Sequence, residues 1–417
     1  MRILVLTNLY PPEILGGYEL ACANVSMALS GRGHDVRVLT TWSHLPLPVD
    51  EPAWVHRSMD AHWYLPIKSR NAVVDQRDLH AAVCSSYGNT LHLLDAIRDF
   101  RPDMVYAWNL TGLGSAAIMD LLNRIGVPWA LHLMDRGPVD IESNTPPAIL
   151  GLFGGPTMYD GARIISMSQH LLDEIEAVSG ITFPQGADLV PGAADVDGGL
   201  AHKPYLRDGM ARFVTAGTVV EHKGTDLILE ASARLRAEGW SFTVDIFGNG
   251  DLPRYVDMAR TLQVDDRVRF LGSLPQAELV RRYVGYDAFL FPTWEREPFG
   301  FAPVEAAGHG TPPIMTANCG ASERLVDGVH CIKIERTVDG LADAMRHVAA
   351  NEIDIARIGR AARRLVMGDL SFARSIDRIE AALYGHIRPW RHEAADDARL
   401  PLLLYVKHNL SVSLRFG

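Results

Sequence analysis

Residues 2–41 read RILVLTNLYPPEILGGYELACANVSMALSGRGHDVRVLTT. The continuous apolar run at 2–8 is typical of a strand that is buried on both faces of a parallel sheet. A loop at 9–17, a helical pattern at 18–33 that stops at glycines, and a second apolar strand at 35–41 follow it. This stretch therefore predicts a strand–loop–helix–strand unit, from which parallel α/β domains are built.

The same alternation continues along the chain and predicts two Rossmann-like domains in tandem, with a cleft at the carboxyl ends of both sheets. Further strands are predicted at 103–109, 127–135, 162–168, 212–218, 241–248, 267–272, 288–293, 311–317 and 331–335. Between the two series, residues 191–211 lack periodicity and are interpreted as a linker. We place the domains at 1–200 and 205–370. We expect residues 371–417 to pack back on the first domain rather than to form an amphipathic surface segment.

The composition is that of an ordinary globular protein, and 417 residues favour two domains. None of the four cysteines, Cys22, Cys84, Cys319 and Cys331, forms a C-x-x-C pair, which favours reduced thiols and a cytoplasmic location over a zinc or redox site. The first apolar run is too short for a signal peptide, and no stretch of about 18 apolar residues predicts a transmembrane helix.

The net charge of −10 is confined to the first half of the chain. Residues 1–200 contain 12 Lys and Arg against 22 Asp and Glu, whereas residues 201–417 are balanced. An acidic first half argues against nucleic acid and against an anionic bilayer as partners, and it suits a neutral or cationic partner. A merely soluble surface is the alternative. We expect no membrane association, and a monomer or a homodimer.

Residues 295–310, EREPFGFAPVEAAGHG, follow a predicted strand and open a helix near Phe299–Phe301. The first N–H groups of a helix lack internal partners and favour a phosphate, and Gly300 would let such a ligand approach the backbone. Glu305 could accept hydrogen bonds from a ribose diol, and Glu297 could point at whatever is joined to the phosphate. The alternative is an ordinary helix start with two solvated carboxylates.

Other candidate residues follow strands of either domain. Lys223, in the loop 217–224, could neutralise a diphosphate or be a surface lysine. Gly248 lies in a glycine-rich turn, FGNG, which is weak support for a nucleotide site. Gly16 and Gly17 could direct backbone amides at a phosphate, or could form a tight turn only.

The sequence contains no convincing set of metal ligands. His132 and Asp135 are separated by two residues, without a further cluster, and no D-x-D motif is present. Asp140 and Glu142 are the nearest candidates. Since a nucleophile elbow and a Walker loop are also absent from the sequence, we expect neither a metal nor a cofactor.

The order of these segments resembles glycosyltransferase family 4, the large group of retaining glycosyltransferases with the GT-B fold. The resemblance covers most of the chain and is strongest at 268–328, where Glu297 and Glu305 match the family's E-x7-E element. Gly320, Glu323, Asp327 and Gly328 continue the match. The first domain matches through YPPEILGGYE and SGRGHDVRVLT, and the linker through VPGAADVD.

The resemblance implies that the second domain holds a nucleoside-diphosphate sugar and the first an acceptor. Glu297 would lie near the donor sugar, Glu305 would bind the ribose, and Lys223 would stabilise the leaving diphosphate. Transfer would retain the anomeric configuration without a metal, by a front-face departure in which the leaving phosphate helps to deprotonate the acceptor. The remaining donor-binding candidates are Gly16, Gly17, Thr218, Gly248, Pro298, Phe299, Gly300 and Phe301.

The sequence departs from the family at two positions. Thr218 stands where an arginine usually follows Gly217, so one cation is missing unless His222 or Arg296 compensates. A strand that commonly ends in His-Asp here ends in HLMD, with a methionine in place of the histidine. His132 and Asp135 are therefore the acceptor-side catalytic candidates.

Two alternatives keep the fold: a phosphorolytic or sugar-phosphate-using enzyme, and a non-catalytic sugar-nucleotide binding protein. The acidic first half suggests a neutral or amino-bearing small-molecule acceptor, as in natural-product glycosylation, rather than a phospholipid. A glycan acceptor, as in polysaccharide biosynthesis, remains open, as do the donor base and the donor sugar.

Overall fold

The computed structural model describes residues 1–61, 86–145, 147–196 and 203–399. Three features of the sequence lie outside these ranges. They are Cys84, residues 197–202 of the linker predicted at 191–211, and residues 400–417 of the final segment. The chain divides into two compact units. The first comprises Met1–Ser166, Leu172–Leu189 and the chain from Ile376, and the second comprises Met167–Leu171 and Val190–Ser375.

The first unit is built on a parallel sheet of seven strands in the order β3-β2-β1-β4-β5-β6-β7. The strands are β1 (Arg2–Thr7), β2 (Asp35–Thr41), β3 (Val55–Met59), β4 (Met104–Asn109), β5 (Trp129–Leu133), β6 (Ala162–Ser166) and β7 (Ala187–Leu189). Residues of β4 and β5 are almost all buried, as expected for central strands with both faces covered.

Helices of this unit among the described residues are α1 (Gly17–Gly31), α2 (Tyr87–Phe100), α3 (Ser115–Ile125), α4 (Gly137–Asn144), α5 (Pro147–Leu150) and α6 (Gln169–Ser179), the last of which starts in the second unit. The sequence did not predict β3, α2, α4 or β7. The strand predicted at 127–135 begins only at Trp129, because Pro128 before it has no N–H for the ladder, and it ends at Leu133.

The second unit has a parallel sheet of six strands in the order β10-β9-β8-β11-β12-β13. The strands are β8 (Ala211–Ala216), β9 (Phe242–Phe247), β10 (Val268–Gly272), β11 (Ala288–Phe291), β12 (Pro313–Thr316) and β13 (Ile332–Ile334). Its helices are α7 (Thr225–Ala237), α8 (Leu252–Thr261), α9 (Gln276–Arg282), α10 (Phe301–Gly308), α11 (Val338–Ala349) and α12 (Ile355–Gly368). An apolar core between sheet and helices includes Phe213, Phe242 and Leu290.

A final helix, α13 (Phe372–Tyr384), continues into the first unit, where residues 376–399 pack. The carboxylate of Glu380 pairs there with Arg32 and His34. Further along, the Trp390 indole N–H donates to the carbonyl of Pro102 at 3.0 Å. The α/β architecture with two parallel Rossmann-like sheets, predicted from the alternation of strands and helices, is confirmed.

Candidate active site

The central feature of the second unit is an ion pair between Lys223 and Glu297, whose Nζ and Oε2 atoms are in direct contact. The hydroxyl of Thr293, just after β11, donates to the same carboxylate oxygen at 3.2 Å. Glu297 is 8% exposed, so this carboxylate is removed from most solvent and balanced by one ammonium group. The two charged candidates from the sequence, 74 positions apart, are thus brought together.

The turn that carries Lys223 is pressed against the chain that follows β11. Gly224 closes the turn with φ +76°, and a Cβ at this position would lie 2.3 Å from the carbonyl oxygen of Pro292. The amide of Trp294 also donates to the carbonyl of His222 at 3.0 Å. Because glycine allows this close backbone approach, the lysine at the end of the turn reaches the glutamate loop.

Three successive carbonyls of the glutamate loop are held by hydrogen bonds. The amides of Gly320 and Ala321 donate to the carbonyls of Glu297 and Phe299 at 3.2 and 2.9 Å. The hydroxyl of Ser168 donates to the carbonyl of Pro298 at 2.7 Å. A Cβ at Gly320 would lie 2.0 Å from that carbonyl oxygen, so glycine is needed for this contact. The backbone is therefore fixed at Glu297 and at the two residues that follow it.

Helix α10 begins at Phe301, as predicted, with Gly300 before it at φ +97°. A Cβ on Gly300 would lie 2.8 Å from the ring of Phe291. Glycine is thus required by the backbone angle and by packing, and not only by a ligand's approach as the sequence suggested. The amides of Gly300, Phe301 and Ala302 lack partners within the helix, whereas Pro303 has no N–H to offer.

Phe299 packs inward rather than toward a ligand. Its side chain is fully buried, and its ring lies 5.8 Å from that of Phe301 in an edge-on arrangement. A Cβ on Gly192 would lie 2.5 Å from the Phe299 ring. Of the two phenylalanines predicted to bind the donor, Phe299 can therefore act through its backbone and its packing alone.

Glu305 is the fifth residue of α10 and lies beside the start of α9. Its Oε1 accepts a hydrogen bond from the Gln276 side-chain amide at 2.6 Å. Burial nevertheless raises the pKa of Glu305, because the amide hydrogen bond offsets only part of the desolvation. Gln276 is not among the residues predicted from the sequence, since nothing in a helix start reveals a partner 29 positions away.

Thr218 and Gly217 are exposed at the carboxyl end of β8. A Cβ on Gly248, which has φ +135°, would lie 1.8 Å from the Gly217 carbonyl oxygen. Gly248 is therefore needed because two strand-end loops touch through their backbones. This contact supports the turn that carries Thr218, and the part of Gly248 in donor binding stays a prediction.

The residues considered as substitutes for the missing arginine lie around Trp294. The ring of His222 lies 4.6 Å from the Trp294 ring, and the guanidinium of Arg296 lies 5.4 Å from the same ring. The pKa of His222 is lowered, first by burial and then by the charge of Lys223, so His222 is a poor replacement cation. Arg336, which the sequence did not single out, donates to the Glu221 carbonyl at 2.8 Å in the same turn.

In the first unit, the Gly16–Gly17 turn leads into α1. The Glu19 carboxylate accepts from the amides of Gly16 and Leu15 at 3.0 and 3.3 Å, which caps the helix. The amide of Gly16 is thus occupied within its own loop and cannot face a phosphate as predicted. Gly17, at the first helical position, keeps an amide without an intrahelical partner.

His132 lies on β5 among aromatic side chains. Its Nδ1 is hydrogen-bonded to the Tyr106 hydroxyl at 2.6 Å, and its ring lies 4.4 Å from that of Trp108. Burial lowers the pKa of His132 to about 3, so the imidazole is neutral at neutral pH. His132 and Asp135 line the same small cavity, which the sequence could not show.

Asp135 stands at the end of β5, just before α4. Its Oδ1 accepts from the Gly137 amide at 2.8 Å, and burial raises its pKa. The Tyr18 hydroxyl approaches closely enough to lower that pKa in part, but does not complete a hydrogen bond. In the described parts of the chain, no group of three or more His, Cys, Asp or Glu side chains could hold a metal ion. No helix of these parts is long and apolar enough to cross a membrane.

Two parallel Rossmann-like sheets, one in each unit, are the architecture of the GT-B fold. Comparison with known proteins agrees, since residues 202–365 match the family model described as glycosyl transferases group 1. The chain is 27% identical to glycogen synthase of Mycobacterium tuberculosis over 421 residues, which covers 97% of this chain and 98% of that protein. The protein is a glycosyltransferase, similar to glycogen synthase.

Solved structures give the same fold. Sucrose-phosphate synthase from Thermosynechococcus elongatus aligns with a TM-score of 0.70 at 15% identity, over 92% of this chain and 98% of that one. Anabaena HepE in complex with UDP-glucose aligns with a TM-score of 0.64 at 16% identity, over 92% and 100%. These similarities confirm the predicted GT-B fold.

Proposed function

We propose that the protein is a retaining, metal-independent glycosyltransferase of family 4. It moves a sugar from a nucleoside-diphosphate sugar to a hydroxyl of a small-molecule or glycan acceptor. The observation that carries the proposal is the contact of Lys223 with Glu297 beside the start of α10. A cation, a carboxylate and free helix amides then occupy one corner of the second unit.

The diphosphate would bind between Lys223 and the amides of Phe301 and Ala302. Both the ammonium group and the positive end of the helix dipole attract an anion. Because Glu297 already holds the ammonium group, a diphosphate must share or take over that contact on binding. The donor sugar, joined to the diphosphate, would come close to the Glu297 carboxylate.

The ribose of the donor would be held by Glu305. Glu305 is half-buried and its carboxylate is contacted by Gln276, so a diol that donates to its second oxygen would offset part of the desolvation. The two carboxylates of the E-x7-E element would then lie on either side of the bound diphosphate, Glu297 toward the sugar and Glu305 toward the ribose.

The reaction would break the bond between the anomeric carbon and the β-phosphate oxygen. The acceptor oxygen would form the new bond to the same carbon from the same face. The acceptor proton would pass to the departing phosphate oxygen, which leaves as nucleoside diphosphate. Negative charge grows on that oxygen in the transition state, where Lys223 and the helix amides would stabilise it.

A donor screen tests the proposal directly. We expect one of UDP-, GDP-, ADP- or dTDP-sugars to raise the melting temperature of the full chain, because ligand binding stabilises the folded state. Release of nucleoside diphosphate on addition of acceptor, unchanged by EDTA, would show metal-independent transfer. An axial or equatorial anomeric proton in the product, read by NMR coupling, would decide retention. No binding by any donor, or inversion, contradicts the proposal.

A phosphorolytic or sugar-phosphate-using enzyme is the second candidate. The observation in its favour is Thr218, which leaves the strand end of β8 without a second cation for a diphosphate. Orthophosphate-dependent cleavage of a glycoside would identify it. The reduced cysteines favour the cytoplasm as the location of either enzyme.

A further inference from the structure

A cavity of about 350 Å³ lies within the first unit, at the carboxyl ends of β1, β4 and β5. Its lining includes Leu15, Gly16, Tyr18, Asn109, Asp135 and Asp140. Its volume is within the range of small-molecule sites and is large enough for a sugar ring. A smaller cavity that also contains His132 and Tyr159 shares Tyr18, Asn109 and Asp135 with it.

The charge of this cavity is one-sided. Among the described residues that line it, Glu19, Asp135 and Asp140 are acidic, and none is Lys, Arg or His. Glu19 is occupied as the cap of α1. Burial and the charge of Asp135 both raise the pKa of Asp140, so the two carboxylates repel each other.

The nearest cation does not resolve this repulsion. The guanidinium of Arg136 lowers the pKa of Asp135 and Asp140 to some extent. Its Nη1, however, lies 3.4 Å from Glu174, and Arg136 is not part of the cavity lining. The acidic groups of the cavity thus have no cation among its described lining residues.

Two tyrosine hydroxyls provide an independent observation. The hydroxyl oxygens of Tyr18 and Tyr159 are both buried and have no hydrogen-bond partner. Tyr159 is 3% exposed, and both tyrosines line the smaller cavity. A buried polar group without a partner costs free energy, which a ligand with hydroxyl or amino groups would recover.

We propose that this cavity binds an acceptor that carries a primary amine, such as an amino sugar or an aminocyclitol, with its ammonium group between Asp135 and Asp140. The ligand's hydroxyl groups extend into the smaller cavity, where they bond to Tyr18, to Tyr159 and to the neutral His132. The amine is a recognition group, and a hydroxyl of the same molecule accepts the sugar. The assignment of this ligand as acceptor rests on the proposed function, whereas its binding does not.

Calorimetric titration of the full chain tests binding with matched ligands. We expect glucosamine and 2-deoxystreptamine to bind about tenfold or more tightly than glucose and the N-acetylated forms, because a charge-assisted hydrogen bond is lost on acetylation. Asp140→Asn should abolish this preference. Asp99→Asn, which removes an exposed carboxylate from α2 outside the cavity, should leave it unchanged.

Tyr18→Phe and Tyr159→Phe separate ligand binding from a structural role. Because each hydroxyl is unpartnered, its removal should leave the melting temperature of the free protein equal or higher, while it weakens binding of the amines several-fold. A lower melting temperature with unchanged amine affinity would overturn the assignment. So would equal affinity for amines and their N-acetylated forms, or binding of Mg²⁺ that depends on Asp140 and displaces the amine.

The two proposals fail in different ways. If amines bind but no nucleoside-diphosphate sugar releases its nucleotide with any acceptor, the proposed function is wrong and the amine site stands. If nucleotide is released with neutral acceptors alone, the transferase stands and the amine site is wrong.

Discussion

The Lys223–Glu297 pair of the second unit and the Asp135–Asp140 cavity of the first unit balance charge in opposite ways. Glu297 is buried against the Lys223 ammonium group and the Thr293 hydroxyl. Its loop is held by hydrogen bonds to three of the loop's backbone carbonyls. In the cavity of the first unit, burial and the charge of Asp135 raise the pKa of Asp140, and the buried Tyr18 hydroxyl in the lining has no hydrogen-bond partner. A site in which a side chain supplies the counter-charge can orient a reacting group. A site without such a side chain favours a ligand that carries the counter-charge itself.

The largest effect is expected from Glu297→Gln. It should lower the turnover of donor and acceptor by about a thousandfold, because a group that acts in the transition state is lost. Nucleotide affinity, measured by calorimetry, should stay equal or increase, since Lys223 loses its competing carboxylate. The exposed neighbour Glu295→Gln is the matched control. Normal turnover of Glu297→Gln would refute the donor-side assignment.

Lys223→Met should weaken binding of nucleoside diphosphate by about tenfold to a hundredfold, the value of a charge-assisted hydrogen bond. It should also leave Glu297 buried without a counter-ion, so the melting temperature should fall. The double variant with Glu297→Gln should recover the melting temperature but not the affinity. If the double variant is no more stable than Lys223→Met, the pair has no structural role.

His132→Asn tests the first unit through pH. The pKa of His132 falls from an ordinary 6.5 to about 3 on folding, so the unfolded chain binds a proton that the folded chain does not. The contribution of the neutral His132 to the free energy of unfolding is present above pH 6.5 and is lost as the pH falls toward 3. The variant, which can still bond to Tyr106, should therefore lose less stability on acidification than the native protein does. If denaturant titrations show that both proteins lose the same free energy of unfolding on acidification, the imidazole of His132 is solvated in the native protein.

Glu305→Gln probes a carboxyl whose pKa burial raises on folding. The folded state holds this proton more tightly, so stability is lost as the pH rises from the ordinary value of 4.5 through the raised one. The variant should thus be more stable than the native protein at pH 7 and no more stable at pH 4. It should bind nucleoside diphosphates several-fold more weakly if the carboxylate contacts the ribose; unchanged affinity would exclude that role.

The smallest effect is expected from Thr218→Arg. The position is exposed at the end of β8, so an arginine can be accommodated, and it should tighten diphosphate binding a few-fold. Unchanged or weaker affinity would show that Arg296 or Arg336 already supplies the second cation. Thr218→Gln is the neutral control of similar length.

The sequence predicted most of the fold because apolar runs and helical spacing repeat along the whole chain. It missed β3 and β7, which are short, and α4, whose eight residues have little apolar periodicity. It predicted the start of α10, with Glu297 before that start and Glu305 within the helix. It did not reveal why residues 248 and 300 are glycines, because Gly248 lies against the Gly217 carbonyl and Gly300 against the Phe291 ring, contacts that no local pattern contains.

What the sequence determined by itself was the class of fold, the E-x7-E element and the acidic balance of the first half, since periodicity, spacing and charge are properties of the chain alone. The tertiary structure decided which groups share a site. It joined Lys223 to Glu297, turned Phe299 inward, occupied the Gly16 amide, and left the hydroxyls of Tyr18 and Tyr159 without partners. Each of these depends on distances between elements far apart in sequence, and burial then sets how much each charge costs.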